Sequence, residues 1–283
     1  MTSIGEGAAR SSADGNAFAG CTNLTEIIVD SGNSSYSSVN GVLMSKDQSR
    51  IVAYPGGKTD TSFTVPADVS VIGESAFSGT ALKSVIIHAG VTDIGESAFS
   101  GCATLTEVVV DSTNPYYSSV DGVLFSKDQT VLIAYPGAKA AAQYTVPETV
   151  SIIADYAFSG SALERITIPV SVTAIGEGAF EDCTALVSVA YDGNEEAWSA
   201  IAIGDGNTIL LDKLVIATAQ PGDVNEDGIV NLGDVQLLFM FTRNKAELTA
   251  EGLAASDVNN DGTVNLGDVQ LLFMFTRGKA ELD

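Results

Sequence analysis

The sequence predicts a β-rich repeat solenoid with a parallel strand ladder over residues 1–217, followed by a small all-α module over residues 221–283. Three observations carry this. A motif of the form I-G-x-x-A-F-S-G recurs around Phe77 and Phe99, with close variants around Phe18, Phe158 and Phe180. A loop-and-helix motif occurs twice near the end, starting at Asp223 and at Asp257. Between the two regions, Ala219-Gln220-Pro221-Gly222 reads as linker, and residues 218–222 are assigned to it.

The solenoid elements follow from the period. The phenylalanines are spaced by 59, 22, 59 and 22 residues, so a long unit of 81 residues occurs twice. Gly41–Gln48 (GVLMSKDQ) matches Gly122–Gln129 (GVLFSKDQ), Ala53–Gly56 matches Ala134–Gly137, and Cys21, Cys102 and Cys183 keep the same period. Each short unit carries an L-x-x-hydrophobic-x-hydrophobic run: Leu24–Val29, Leu82–Ile87, Leu105–Val110, Leu163–Ile168 and Leu186–Tyr191. Such runs predict strands. A unit this short cannot bury its own apolar side, so neighbours must stack into a continuous core. Tyr36–Pro66 and Tyr117–Pro147 predict strands and hairpins, in the first copy at Val42–Ser45, Arg50–Tyr54 and Ser62–Val65. The strand run is the signature of a leucine-rich repeat. With A-F-x-x-C-x-x-L and V-T-x-I-G (Val91–Gly95, Val172–Gly176), it resembles the bacterial surface-antigen type called BspA-like.

After Tyr191 the repeat decays, and a C-terminal cap is expected over about 187–217. Glu195–Ala200 predicts a helical turn whose Trp198 plugs the open end of the core. At the other end, nine extra residues separate Ile4-Gly5 from Phe18, relative to Ile72-Gly73 and Phe77. No basic stretch with an apolar core opens the chain, so a processed or truncated N-terminus without its cap is expected.

The two late loops read DVNEDGIVNLGD (Asp223–Asp234) and DVNNDGTVNLGD (Asp257–Asp268). Oxygen-bearing side chains occupy positions 1, 3, 5, 9 and 12: Asp223, Asn225, Asp227, Asn231 and Asp234, then Asp257, Asn259, Asp261, Asn265 and Asp268. Gly228 and Gly262 at position 6 permit a sharp turn, and Ile229 and Thr263 at position 7 would offer carbonyl oxygens. That spacing suits a hard cation, and two calcium ions are predicted. The loops lie 34 residues apart, and Val230–Arg243 is identical to Val264–Arg277. No helix is predicted to enter the first loop, and position 12 is Asp where an EF-hand expects a bidentate Glu.

A duplicated loop with an exiting helix and Asp at position 12 resembles the type I dockerin, over Pro221–Asp283. Dockerins plug secreted proteins into cohesin modules of a bacterial cellulosome-like scaffold. The resemblance implies cohesin contacts at Leu232, Gly233, Phe239 and Met240, and at Leu266, Gly267, Phe273 and Met274. Many dockerins place a hydroxyl pair and a basic pair there; this chain departs from them, which implies a different cohesin class. The helix Val235–Phe241 is apolar nearly all round, more than so small a module buries alone.

Composition excludes several functions. The formal charge is −23, from 36 acidic and 13 basic residues, which argues against nucleic acid or an anionic membrane as partner. No apolar run reaches a membrane-spanning length. The three cysteines, at equivalent points of separate coils, are expected to be buried and free. His88 follows a strand, in a turn, with no partner for metal or catalysis. Acidic pairs such as Glu181–Asp182 and Glu195–Glu196 read as solvated charge, and no phosphate loop or G-x-S-x-G is present, so no catalytic residues are assigned. The outward ladder residues, among them Glu26, Ile28, Ile86, Glu107, Val109 and Arg165, form a surface suited to a protein or glycan ligand.

The predicted function is that of a secreted, non-catalytic modular protein on a scaffold or cell surface. Its dockerin-like end would bind cohesin while its solenoid acts in adhesion or recognition. A dockerin-borne polysaccharide-degrading enzyme or accessory, and a freestanding calcium-responsive adhesin, are the alternatives.

Overall fold

A computed structural model describes residues 16–216, 221–225, 229–259 and 261–282. The irregular start at Ile4-Gly5, most of the linker, and Asp227 with Gly228 lie outside the described residues. The chain divides into two compact units, Met1–Val215 and Ile216–Asp283.

In the first unit the 81-residue period holds strand by strand. The first copy contains β1 (Tyr36–Val39), β2 (Val42–Ser45), β3 (Arg50–Ala53), β4 (Ser62–Thr64), β5 (Val71–Ile72), β6 (Ser84–Ile87), β7 (Asp93–Ile94) and β8 (Glu107–Val110). The second repeats each at the same length: β9 (Tyr117–Val120), β10 (Val123–Ser126), β11 (Val131–Ala134), β12 (Gln143–Thr145), β13 (Ile152–Ile153), β14 (Arg165–Ile168), β15 (Ala174–Ile175) and β16 (Ser188–Tyr191). Each coil gives one strand to a parallel ladder whose strands shorten to two residues after the first (β3-β5-β7, then β11-β13-β15), and one to a ladder whose strands lengthen to four (β4-β6-β8, then β12-β14-β16).

The hairpins β1–β2 and β9–β10 turn at Asn40-Gly41 and Asp121-Gly122, with φ of 50°/80° and 49°/79°. Left-handed backbone at both central residues matches the twist of paired strands. At Gly41 and Gly122 a Cβ would also strike that of Glu26 or Glu107, at 2.9 and 2.8 Å.

The recurring phenylalanines stack inside the coils. Phe77 lies 5.4 Å from Phe99, and Phe158 lies 4.9 Å from Phe180, each pair nearly parallel. Along the ladder, Val85, Ile87, Val108 and Ile166 point inward while Ile86, Glu107 and Val109 are exposed, the alternation expected of strands packed on one face; Glu26, Ile27 and Ile28 alternate alike.

Two expectations are corrected. Leu24–Val29 forms no strand. Its Ile27 N–H donates to Gly41 O (2.8 Å) and Val29 N–H to Ser38 Oγ (3.0 Å). The same contacts recur at Val108 and Val110, but there β8 also pairs with β6. Among the described residues no coil precedes Leu24–Val29 to pair with it. For the same reason Cys21 is exposed, whereas Cys102 and Cys183 are buried and free, their Sγ atoms donating to Phe77 O (3.0 Å) and Phe158 O (3.1 Å) of the preceding coil.

The cap contains α1 (Glu195–Ser199), β17 (Ala202–Ile203), α2 (Thr208–Asp212) and β18 (Leu214–Ile216). Asn194 caps α1 by accepting Ala197 N–H at 2.7 Å, and buried Trp198 stands edge-on to Tyr191 at 5.1 Å, closing the core as expected. His88 is a turn residue: Nδ1 accepts Gly90 N–H (2.9 Å), which leaves Nε2 as donor to Pro66 O (3.0 Å).

The second unit contains α3 (Leu232–Phe241), α4 (Ala250–Ala254) and α5 (Leu266–Thr276). Leu238 and Leu272, fully buried, pack with Val224, Val235 and Val258. No helix among the described residues is long and apolar enough to cross a membrane.

Candidate calcium loops and partner-binding face

Each loop runs directly into a capped helix. Asn231 and Asn265, predicted ligands at position 9, are also the N-caps of α3 and α5, accepting Gly233 N–H and Gly267 N–H at 2.7 Å. Position 12 closes the capping box. Asp234 Oδ2 accepts Asn231 N–H and Asp268 Oδ2 accepts Asn265 N–H, both at 2.8 Å. The other oxygen reaches back to position 3: Asn225 N–H donates to Asp234 Oδ1 (3.0 Å) and Asn259 N–H to Asp268 Oδ1 (3.4 Å). The start of each loop is thereby tied to its helix. These capping roles are legible as N-x-x-D ahead of an apolar run, a signal the ligand spacing had masked.

In the second loop the oxygens of positions 1, 3 and 5 turn inward. Asp257 Oδ1 and Asn259 Oδ1 both accept Asp261 N–H, at 3.1 and 2.9 Å, so the two oxygens lie together over one atom. Asp257 Oδ2 accepts Gly262 N–H (2.8 Å) and Asp261 Oδ1 accepts Thr263 N–H (2.9 Å). Gly262 adopts φ +81°, the left-handed turn expected of position 6. The carbonyls of Ile229 and Thr263 accept Asn231 Nδ2–H and Asn265 Nδ2–H at 2.8 Å, which places position 7 beside position 9. In the first loop Asp223 is buried, Asn225 is exposed, and Asp227 lies outside the described residues.

Among the described residues no three acidic, histidine or cysteine side chains gather closely enough to hold a metal by themselves. The loops instead combine carboxylate, amide and main-chain carbonyl oxygens, the donor set of a hard cation. Asp234 and Asp268 are fully buried, and no basic side chain of the described residues forms an ion pair with either. A buried carboxylate without a counter-ion costs several kcal/mol, roughly, even when hydrogen-bonded. A divalent cation fits this set.

The two repeats expose the large side chains among the predicted contact residues alike. Phe239 and Phe273 are 42% and 43% exposed, Met240 and Met274 are 44% and 38%, and Leu232 and Leu266 are also exposed. Gly233 and Gly267 lie in the first turns of the helices. Between the helices runs a groove of about 360 Å³, walled by Val235 and Phe239 of α3 and by Leu266, Val269 and Phe273 of α5. Arg243 lies over the Phe239 ring at 4.8 Å and Arg277 over Phe273 at 5.6 Å. Neither arginine was predicted as part of this face. Their spacing of four from the phenylalanines, one helical turn, was the available signal.

Comparison with known families agrees with both regions. The chain matches the BspA type leucine rich repeat region in six copies over residues 56–127 and 134–201, and the dockerin type I domain over residues 221–274. The chain joins BspA-type leucine-rich repeats to a type I dockerin. Similar solved structures include a leucine-rich repeat protein from Eubacterium ventriosum, at 27% identity and a TM-score of 0.46, covering 62% of this chain and 56% of that one. The pneumococcal vaccine antigen PcpA follows at 28% identity and a TM-score of 0.41, covering 48% and 40%. A leucine-rich cell surface protein from Faecalibacterium prausnitzii is 21% identical with a TM-score of 0.40, covering 66% and 78%. The chain thus spans little more than half the length of the first and less than half of the second. No curated protein matches it significantly. Type I dockerins bind calcium and pair with cohesins, and neither matched module is catalytic.

Proposed function

We propose that the chain is a secreted, non-catalytic component of a cohesin-bearing scaffold at or near the cell surface, displaying its solenoid for adhesion or recognition. The solenoid and cap run from 1 to 217, residues 218–222 link, and the dockerin occupies 221–283. Two calcium ions order the loops. The first is held by Asp223, Asn225, Asp227, Ile229 O, Asn231 and Asp234, the second by Asp257, Asn259, Asp261, Thr263 O, Asn265 and Asp268. Cohesin docks on Leu232, Gly233, Phe239 and Met240 or on Leu266, Gly267, Phe273 and Met274.

The matched exposure of the paired Phe and Met side chains supports this reading most directly. A module that leaves the same large apolar residues uncovered on both repeats presents one patch twice, and such residues are favoured at interface cores. A half-turn of the dockerin then offers the same contacts, so cohesin binds in either orientation. The test is capture of the full chain on a panel of cohesins in calcium. Phe239→Ala with Met240→Ala should keep most of the affinity, as should Phe273→Ala with Met274→Ala, while the fourfold variant loses it. Loss in one double variant alone would disprove dual orientation; binding by the fourfold variant would disprove the face. Calorimetric titration of the chelator-treated chain should give two sites, with Asp234→Asn and Asp268→Asn each removing one.

A further inference from the structure

The ladder of short strands is interrupted where the two 81-residue copies meet. The sheet containing β3, β5 and β7 ends at β7, and the next sheet opens with the hairpin β9–β10. Ile94 N–H donates to Tyr117 Oη at 2.9 Å. The break leaves a cleft of about 720 Å³, bounded by the turn from Ile94 to Ser100 on one side and by the second copy on the other. Its floor is aliphatic, with Ile133, Ala174 and the 40%-exposed Ile152, and its rim carries Glu96, Asp155 and Glu177. Among the described residues none of these three carboxylates pairs with a basic side chain. Asp155 Oδ1 accepts Glu177 N–H at 2.7 Å, which holds the rim together.

The first copy shows what the second has given up. Along the outward row of its short strands, Arg50, Val71 and Asp93 stand in register. Arg50 Nη1 lies 3.7 Å from where a Cβ would sit on Gly73, the residue before Glu74 in the chain. In the second copy the same row reads Val131, Ile152 and Ala174, followed by Ala202. The acids recur, since Asp155 takes the place of Glu74 and Glu177 that of Glu96, but Val131 replaces the guanidinium. An apolar row is therefore flanked by carboxylates that no basic side chain of the described residues pairs with.

We infer that this cleft binds an extended peptide segment of a partner protein, one in which a lysine or arginine is flanked by aliphatic residues. The aliphatic side chains cover Ile133 and Ile152. The cation, its stem lying on the same floor, takes the place that Arg50 fills in the first copy. A charge paired at the edge of an apolar floor is screened less than one in open water. The inference rests on the reading of the solenoid as a recognition surface, and it is independent of cohesin binding.

Fluorescence anisotropy of the full chain in calcium tests it, with labelled, end-capped peptides Ser-Leu-Arg-Leu-Ser, Ser-Leu-Glu-Leu-Ser and Ser-Ser-Arg-Ser-Ser. The first should bind about tenfold or more tighter than the others, and Val131→Arg, or Asp155→Asn with Glu177→Gln, should weaken it about tenfold. Val131→Arg installs the side chain that the first copy accommodates at this position, and Ile152→Arg, at an exposed site, is the second variant; unchanged thermal midpoints confirm folding. Equal binding of Ser-Ser-Arg-Ser-Ser would reduce the effect to the net charge and overturn the inference, as would millimolar or weaker binding of all three peptides. If Val109→Arg on the other ladder abolishes binding while the three cleft variants keep it, the cleft is wrong and the recognition role stands. If peptide binding follows the cleft variants but no cohesin is captured, the dockerin reading alone fails.

Discussion

Tyr54 and Tyr135 hold the same position in the two copies of the 81-residue unit, and their hydroxyls meet different fates. Their ring environments repeat closely. Tyr54 packs 5.0 Å from Phe63 and 5.7 Å from Phe77, and Tyr135 packs 4.8 Å from Tyr144 and 5.1 Å from Phe158. In the first copy Tyr54 Oη donates to Asp60 Oδ2 at 2.9 Å, and Lys58 Nζ donates to the same oxygen at 2.7 Å. In the second copy Ala141 replaces Asp60, Lys139 Nζ turns to Asp121 O, and the buried Tyr135 hydroxyl has no hydrogen-bond partner among the described residues. Burial pushes its pKa up to about 12. Packing follows the period, because every coil presents the same apolar residues to its neighbours. Polar satisfaction does not, because it hangs on single side chains that the stack tolerates losing.

The largest effects should show the copies to be equals. Phe77 and Phe158 are both fully buried and stacked on the next coil's phenylalanine. Phe77→Ala and Phe158→Ala should each cost about 3–5 kcal/mol in urea unfolding followed by circular dichroism. A cost in one copy less than half that in the other would break the equivalence.

Cysteine reactivity should sharpen the comparison at an intermediate scale, because it separates interior coils from the first described one. Burial pushes the Cys102 and Cys183 thiols up, and both sit under a preceding coil. In the native protein Cys21 should react with a thiol reagent first. The other two should follow about a hundredfold or more slowly, since local opening must expose them. Equal rates at all three would mean that the stacking of the coils is wrong.

Cys21 also marks where sequence reading runs out. The period located the strands at Leu82–Ile87, Leu105–Val110, Leu163–Ile168 and Leu186–Tyr191, because period and alternation are properties of the chain itself. It failed at Leu24–Val29 and Cys21, because pairing and burial are properties of a neighbour. The cation loops were legible for a similar reason, as their donors are fixed by local spacing. Their second duty was not seen: Asn231 and Asp234 cap α3 with the atoms assigned to the ion. Nor were the buried asparagines. Asn114 donates to His88 O and Val91 O at 3.0 and 2.9 Å, and Asn207 to Gly176 O at 2.8 Å, each bridging to the preceding coil. A polar residue in a turn carries no mark of which carbonyls will face it.

The smallest effects bear on the difference itself. Tyr54→Phe removes a made hydrogen bond and should destabilise the chain by about 1 kcal/mol, whereas Tyr135→Phe removes an unmade one and should be neutral or slightly stabilising. Ala141→Asp should restore the first copy's arrangement in the second and raise the thermal midpoint at neutral pH. The sign of its pH dependence follows from Asp60, whose pKa is held below the usual carboxylate value by hydrogen bonds from Lys58 and then Tyr54. A carboxyl depressed on folding contributes stability above its unfolded pKa, about 3.9, and loses it as pH falls through the folded value. The gain from Ala141→Asp should therefore be present at pH 7 and fade below about pH 4. In the double variant with Tyr135→Phe, the part owed to the tyrosine should vanish and the part owed to Lys139 should remain. A gain independent of pH, or one undiminished by Tyr135→Phe, would mean that Tyr135 does not miss the carboxylate that Tyr54 has.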